Sequence, residues 1–218
     1  MVMAQRMGSK HFLSILETMT EMDRLYAEMR AVLDEFTGRS DFLFRILTIE
    51  HLATALKLYV ISWHTMLDLL ARLVSSVFNL GIADRDISVR LILNNDHVRS
   101  SRIPDILREF KTGLPIEDLG KRRNDAVHRG RIPDREVDEM LKERNTIYSR
   151  RYSFLELKPI SDDEYQKRLA ELQGRLHALA KDKLEVWEKV HMRTIAMTSE
   201  VAGELAVKTV ELYRRAAI

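Results

Sequence analysis

Three residues in a basic stretch of the chain, Arg123, Asn124 and His128, have the types that phosphate chemistry needs. Histidine is the side chain whose ordinary pKa lies near neutrality, so it can both accept and donate a proton at physiological pH. Arginine carries a permanent charge on a planar fork that matches phosphate oxygens. RNA can be cleaved without a metal by such a pair, because its own 2′-hydroxyl can attack the adjacent phosphate. The pattern therefore predicts His128 as the proton carrier and Arg123 as the cation that stabilises charge on the phosphate.

The spacing within this motif, Arg123-Asn124-x-x-x-His128, makes one copy incomplete. Asn124 lies four residues before His128, so a helix places both on one face, where the amide can orient the imidazole or contact the phosphate. Arg123 lies five residues before His128, which is an offset of roughly 140° around a helix axis. The length of the arginine side chain could bridge this offset, or a second subunit could bring its own copy alongside. The second subunit would also supply a second histidine for acid–base catalysis. We therefore expect a symmetric homodimer.

The asparagine distinguishes this motif from chance matches. An arginine separated from a following histidine by four to six residues occurs at four of the seven histidines, so that spacing alone carries no weight. Arg-Asn-x-x-x-His, by contrast, is expected roughly 0.02 times in a chain of this composition. The motif also lies in a segment, residues 119–131, with a local charge of +4. The other basic residues of this segment are predicted phosphate or RNA contacts: Lys121, Arg122, Arg129 and Arg131.

A purely structural interpretation of the same stretch is open. Helices often end in Lys, Arg and His, because cations there oppose the helix dipole, and Gly130 is a normal residue to follow a helix. In that case His128, Arg129 and Arg131 would only cap a solvated helix end. Residue chemistry alone does not choose between the two interpretations.

Two further patterns have both a functional and a structural interpretation. The run from Arg144 to Tyr152 interleaves cations with aromatic rings, as single-stranded RNA binding requires, and we assign Arg150 and Arg151 as RNA or phosphate contacts. It is equally a solvated helix end that leads into a loop.

His64 and Asp68, four residues apart, could supply two metal ligands, but polar residues in a helical core are usually only hydrogen-bonded. Neither they nor other residues complete a metal site, so no metal and no cofactor are predicted.

Composition is that of an ordinary globular protein. The 218 residues carry a net charge of only +2, and there is no cysteine, which excludes disulfides and thiolate chemistry. The N-terminus has no apolar segment of the signal-peptide type. The most apolar stretch, residues 52–78, is interrupted by charged residues and predicts a buried helix rather than a membrane span. We expect a cytoplasmic protein.

Apolar residues recur with helical spacing along nearly the whole chain, and Gly and Pro are rare. This pattern predicts an all-α helical bundle, a single domain over 1–218 with a core at about 40–215 and the first helix packed on it. The segment 152–159 has weak alternation that could indicate a short strand or an extended linker. The predicted long helices are 9–36, 41–79 and 161–215, the last opened by a capping box, and the shorter ones are 84–94, 103–112, 115–129 and 134–148.

The motif and this architecture together resemble the HEPN superfamily (higher eukaryotes and prokaryotes nucleotide-binding domain). Its signature is Arg-x(4–6)-His, often with Asn after the Arg, and Arg123, Asn124 and His128 match it. The resemblance implies a stand-alone bacterial type of protein whose motif acts as a metal-independent endoribonuclease in a dimer cleft, in a toxin or phage-defence setting. It also implies an antitoxin or defence-system partner. Some HEPN proteins carry an acidic or polar residue on a core helix near the motif, and Asp68 and Glu50 are the candidates for it here. HEPN toxins that pair with nucleotidyltransferases usually carry Tyr two residues after the His; here Gly130 stands there, which argues against control at such a tyrosine.

Two other functions compete with the nuclease. A non-catalytic HEPN-like module would bind RNA or nucleotide, or dimerise, at the same basic site without turnover. A ligand-responsive regulator would need a compact DNA-reading helix pair near its N-terminus, and the two long helices expected there argue against it.

Overall fold

The computed structural model describes residues 2–36, 48–112, 134–152 and 159–216. Every regular element in these ranges is helical, which confirms the all-α prediction. One 3₁₀ helix, Asp84–Asp86, separates α2 from α3. The α-helices of the described ranges are α1 (Val2–Phe36), α2 (Ile49–Val77), α3 (Val89–Leu93), α4 (Asp96–Arg99), α5 (Ile103–Thr112), α6 (Arg135–Tyr152) and α7 (Asp162–Ala216).

Helices α1, α2, α5 and α7 lie in the regions predicted for them, but α1 begins at Val2, seven residues before its predicted start. The hydroxyl of Ser161 accepts a hydrogen bond from the Glu164 N–H at 3.2 Å and so caps the start of α7. Helix α7 then continues through Gly174 and Gly203 without a break. The predicted starts of the second helix at 41–47, the helix at 115–129 and most of the possible strand at 152–159 lie outside the described residues.

The prediction of one helix over 84–94 is wrong. The structure has a 3₁₀ turn followed by α3, because the Ser88 hydroxyl accepts a hydrogen bond from the Leu91 N–H and starts a new helix. A further short helix, α4, begins after Asn95, whose side chain accepts from the His97 N–H at 3.0 Å. Helix α6 also continues four residues past its predicted end, to Tyr152, which is therefore helical rather than part of a strand.

Helix α2 ends in a Schellman motif rather than at a glycine. Asn79 takes the left-handed conformation with φ of 49°, and its N–H bonds to the Ser76 carbonyl. The Leu80 N–H bonds to the Ser75 carbonyl, which satisfies another free carbonyl of the last turn. Asparagine is the residue, after glycine, that most readily accepts this backbone conformation.

The chain divides into two compact units, and each takes a segment of α1, α2 and α7. As far as the ranges are described, unit 1 comprises Met1–Arg30, Ser62–Gly120 and Lys189–Ile218, and unit 2 comprises Ala31–Ile61 and Lys121–Glu188. The single domain predicted from sequence stays a prediction.

Unit 1 has a core built around Trp63, whose exposed fraction is 1%. The indole N–H donates to the Thr194 hydroxyl at 3.0 Å, and the ring stacks on Phe110 with centroids 5.9 Å apart. Tyr26 reaches the same residue of α7, donating to the Thr194 carbonyl at 3.3 Å. The indole N–H of Trp63 and the hydroxyl of Tyr26 are thus both paired with polar atoms of Thr194, as burial requires.

Unit 2 has its own buried aromatic pair. Tyr59 and Trp187 stack with centroids 5.3 Å apart, and the Tyr59 hydroxyl donates to the Trp187 carbonyl at 2.9 Å. Burial raises the pKa of Tyr59 well above its ordinary value. Both tryptophans are therefore core residues.

None of the helices in the described ranges combines the length and the apolar character needed to cross a membrane.

Candidate functional site

The basic segment with Arg123, Asn124 and His128 lies outside the described residues, together with Lys121, Arg122, Arg129 and Arg131. Their roles stay predictions. The structure does describe the helices that precede and follow this segment, α5 and α6, and the way in which each is held in its own unit.

Helix α5, which precedes the basic segment, is fixed in the core of unit 1. Its apolar face recurs at three- and four-residue steps, and Ile103, Ile106, Leu107 and Phe110 are all buried. Phe110 stacks on Trp63, and the Arg193 guanidinium of α7 donates to the Glu109 carbonyl at 3.0 Å. The chain therefore leaves α5 from a packed position.

Asp134, three residues after Arg131, holds the beginning of α6 in unit 2. It is 3% exposed, and its carboxylate accepts from the Val137 N–H at 3.3 Å as an N-cap. The Lys183 ammonium of α7 lies 2.9 Å from the other carboxylate oxygen and 3.0 Å from Glu136. Partial burial lowers the pKa of Lys183, but its hydrogen bonds to Asp134 and Glu136 raise it by more. This charged cluster holds the first turn of α6, which begins four residues after the basic segment.

Glu50, a candidate assisting acid, is paired with Arg144. The Glu50 carboxylate on α2 accepts a hydrogen bond from Arg144 Nη1 on α6 and forms an ion pair with it. Partial burial raises the pKa of Glu50, but the hydrogen bond from Arg144 and its charge lower it below the usual range. Glu50 is thus held ionised at neutral pH, which suits an orienting anion and not a proton donor.

The run from Arg144 to Tyr152 forms an alternating row of cations and rings with Tyr165 of α7. The Arg144 guanidinium lies 5.9 Å from the Tyr148 ring centroid, and Tyr148 lies 6.2 Å from Tyr165. The Arg151 guanidinium lies 5.9 Å from the Tyr165 ring and also pairs with Asp162. We call Arg144, Tyr148, Tyr165 and Arg151 the cation–aromatic row.

The row extends the sequence prediction in one respect and changes it in another. Arg151 belongs to it, and Arg150 lies beside it in the last turn of α6, half-buried. Tyr148 is 39% exposed and offers a ring to a ligand. The cations, however, already have carboxylate partners at Glu50 and Asp162, so the row is closer to neutral than its sequence indicates.

His64 and Asp68 lie in unit 1 as half-buried residues of α2. The His64 ring meets the edge of Trp63 with centroids 4.9 Å apart, which is the contact of a packed side chain. Within the described ranges, no three histidine, aspartate or glutamate residues come close enough together to hold a metal ion.

Sequence reasoning missed Lys183 and the apolar side chains of α7 that line a cavity together with Arg144. Lys183 gave no local signal, because its partners Asp134 and Glu136 are about fifty residues away in the chain. The row of Leu169, Leu172 and Leu176 was visible as helical spacing, but nothing in the sequence pairs it with Arg144.

Residues 48–191, more than half of the chain, match the family model described as HEPN_Cthe2314-like HEPN. No curated protein and no solved structure matches the chain significantly.

Proposed function

The chain belongs to the HEPN_Cthe2314-like HEPN family, within a superfamily of nucleotide-binding and ribonuclease-type domains, and on that premise we propose that it is a metal-independent endoribonuclease. The observation that supports this most is that the family match, residues 48–191, includes Arg123, Asn124 and His128. The one strict Arg-Asn-x-x-x-His motif of the chain thus falls inside the segment that defines its family.

The proposed reaction is transesterification at one phosphodiester of RNA. The 2′-hydroxyl loses its proton to a His128 imidazole and attacks the phosphorus, and the bond from phosphorus to the 5′-oxygen breaks. The leaving 5′-oxygen takes a proton from the second imidazole of the dimer. The products are a 2′,3′-cyclic phosphate and a 5′-hydroxyl, so no water, metal or external oxidant is consumed.

Arg123 acts at the phosphate. The phosphorane that forms during attack carries more negative charge on its oxygens than the ground state does, and a permanent guanidinium fork stabilises that added charge. Asn124, on the same helical face as His128, holds either the imidazole or the phosphate in place. Lys121, Arg122, Arg129 and Arg131 attract the RNA backbone to the site.

The proposed mechanism needs two copies of the chain, and α1 offers a surface for the second one. Phe12, Leu16 and Met19 are 52%, 43% and 47% exposed and lie at the four- and three-residue steps that define one helical face. Contiguous exposed apolar residues of this kind mark interaction surfaces. We assign this α1 face to a homodimer, because a second chain is the partner that the incomplete motif requires.

The direct test is a cleavage assay with the purified full chain, a 5′-labelled single-stranded RNA and EDTA in excess. The wild type is expected to release a 2′,3′-cyclic phosphate, and His128→Ala is expected to lower kcat by about 10²–10⁴-fold. Arg123→Ala should lower kcat comparably, since it removes charge stabilisation that exists only in the transition state.

A matched control is available in Arg90 and His97, which satisfy the loose Arg-to-His spacing, lack the Asn and are exposed. Arg90→Ala and His97→Ala should cleave RNA as the wild type does. Cleavage that stops in chelator, or that persists in both His128→Ala and Arg123→Ala, would overturn the proposal. RNA binding without any cleavage by the wild type would instead favour the non-catalytic module.

A toxin or phage-defence role, with an antitoxin or defence-system partner, is the biological setting that we propose for this activity. Its support is the HEPN membership of the chain. Expression of the wild type should arrest growth of a bacterial host, and expression of His128→Ala should not.

A further inference from the structure

Unit 2 contains a small cavity beside the cation–aromatic row. Its volume is about 210 Å³. Pockets for drug-sized ligands measure roughly 300–1,000 Å³, so this cavity suits a single ring system. Apart from one threonine, one glutamine, one tyrosine and one arginine, its lining is aliphatic. The lining residues are Thr48, Ile49, Arg144, Tyr148, Leu169, Leu172, Gln173 and Leu176.

Arg144 lines the cavity, and one of the hydrogen-bond donors of its side chain is not used. Its Nη1 is bonded to Glu50, and its Nη2 donates to the Asn145 side chain at 3.3 Å. Its Nε is buried and has no hydrogen-bond partner in the part of the chain that the structure describes. A buried N–H without an acceptor costs free energy, which a ligand with a suitably placed acceptor would recover.

The charge of the cavity selects a neutral ligand. Arg144 is the cation of its lining, and the ionised Glu50 neutralises it. A phosphate placed there would meet the nearby carboxylate and would lose its hydration without gaining a free cation. A neutral ring that carries a nitrogen or oxygen acceptor meets no such penalty.

Tyr148 gives the site a face for stacking. It lines the cavity, is 39% exposed, and its ring is followed by Tyr165 at 6.2 Å and by Arg151 over Tyr165 at 5.9 Å. Successive bases of a single strand stack on aromatic rings and arginine planes in this manner. The cavity is thus continuous, through Tyr148, with a surface on which a neighbouring base can lie.

We propose that this cavity binds one nucleobase of single-stranded RNA, with Arg144 Nε donating to a ring acceptor and Tyr148 stacking on the base. This inference rests on the proposed function for its ligand, because RNA is the substrate that would bring a base to unit 2. It assigns substrate positioning to residues outside the motif. Glu50 then acts as the residue that orients Arg144 and cancels its charge.

The test uses the ¹⁵N-labelled full chain and follows the Nε–H resonance of Arg144 by NMR, assigned by its loss in Arg144→Lys. Adenosine and uridine are added in one series and ribose 5-phosphate in another. We expect a saturable shift of this resonance with the nucleosides and none with ribose 5-phosphate. Tyr148→Ala should weaken nucleoside binding about tenfold or more, and Tyr148→Phe, which keeps the ring, should bind as the wild type does.

Leu91→Ala is the control, because it removes an apolar side chain with the same exposed fraction as Tyr148, 39%, from α3 in unit 1, away from the α1 face; its nucleoside affinity should be unchanged. A shift with ribose 5-phosphate alone, no shift with either nucleoside, or an unchanged affinity in Tyr148→Ala would each overturn the inference. Its failure is distinguishable from failure of the proposed function: nucleosides are not cleaved, so their binding is independent of His128, and the cleavage assay with His128→Ala is independent of Tyr148.

Discussion

Unit 1 and unit 2 are each stabilised internally by a different kind of polar contact. In unit 1 the contacts around Trp63 are neutral, from its indole to the Thr194 hydroxyl and from Tyr26 to the Thr194 carbonyl. In unit 2 charged pairs join separate helices. These are the pairs Glu50 with Arg144, Asp134 with Lys183, Glu143 with Arg175, and Arg151 with Asp162.

The difference has a consequence for ligands and for pH. Neutral hydrogen bonds among buried residues are insensitive to pH over the physiological range, whereas ion pairs depend on the ionisation of both partners. A unit whose cations are already paired with carboxylates also attracts phosphate less than its count of arginines indicates. Recognition by the described part of unit 2 is therefore better served by stacking and hydrogen bonding, and the proposed attraction of phosphate falls to the basic segment at 119–131.

The largest stability effect should come from the neutral core of unit 1. Trp63→Ala is expected to lower the free energy of unfolding by about 3–5 kcal/mol, because it removes a fully buried ring and its contact with Phe110. Thr194→Val should cost about 1–3 kcal/mol, since it leaves the indole N–H buried without an acceptor. Urea denaturation measures both. A loss below about 1 kcal/mol in Trp63→Ala would contradict the core assignment.

The next largest loss in the free energy of unfolding should come from the charged cluster at the start of α6. Lys183→Met is expected to cost about 2–3 kcal/mol, less than a fully buried pair, because the Lys183 side chain is 21% exposed. The double variant Lys183→Met/Asp134→Asn should recover part of this loss, since Asn retains the helix cap and removes the buried charge. If the double variant is no more stable than Lys183→Met, the ion pair is not the reason for the loss.

The same pair has a defined pH dependence. The pKa of Lys183 is raised in the folded state. Its contribution to the free energy of unfolding is therefore fully present below the unfolded-state pKa of about 10.4, and it is lost as the pH rises through the folded-state pKa. The difference in unfolding free energy between wild type and Lys183→Met should therefore be constant near pH 8 and shrink above about pH 10.

A smaller loss of stability is expected when Glu50 is replaced, and this contribution should disappear at low pH rather than at high pH. Its pKa is lowered when folded, so the contribution is present above the unfolded value of about 4.3 and is lost as the pH falls through the folded value. Glu50→Gln should cost at most about 1 kcal/mol at pH 7, because the carboxylate is 52% exposed and solvent screens the pair. Wild type and Glu50→Gln should converge in stability as the pH falls through the folded pKa of Glu50; a difference that persists unchanged well below pH 4.3 would exclude the ion pair as its cause.

The smallest effect on the fold is expected at the α1 face. Leu16→Asp changes an exposed residue, so its effect on the stability of the monomer should lie within about 0.5 kcal/mol. It should nevertheless shift the chain from dimer to monomer in analytical ultracentrifugation and lower the rate of RNA cleavage. Val186→Asp, an exposed apolar residue of α7 that lies outside this face, should leave both unchanged. A monomeric wild type would exclude the α1 dimer.

Prediction from sequence succeeded where the signal is local. The apolar period of α1, the Ser161 cap of α7 and the bounds of α5 depend on residues within a turn or two of one another. It failed at 84–94, where Ser88 interrupts an apolar pattern that reads as one helix. The motif itself remains a sequence prediction, supported by the family match that covers it.

By itself, the sequence determined the helical class, the main helix boundaries and the strict spacing of Arg123, Asn124 and His128, because each of these is a relation between near neighbours in the chain. Tertiary structure alone decided that Arg144 meets Glu50, 94 residues away, and that Lys183 meets Asp134. Such pairs depend on how helices from distant parts of the chain pack. That packing places Arg144, paired with Glu50, and the Tyr148 ring in the lining of one cavity.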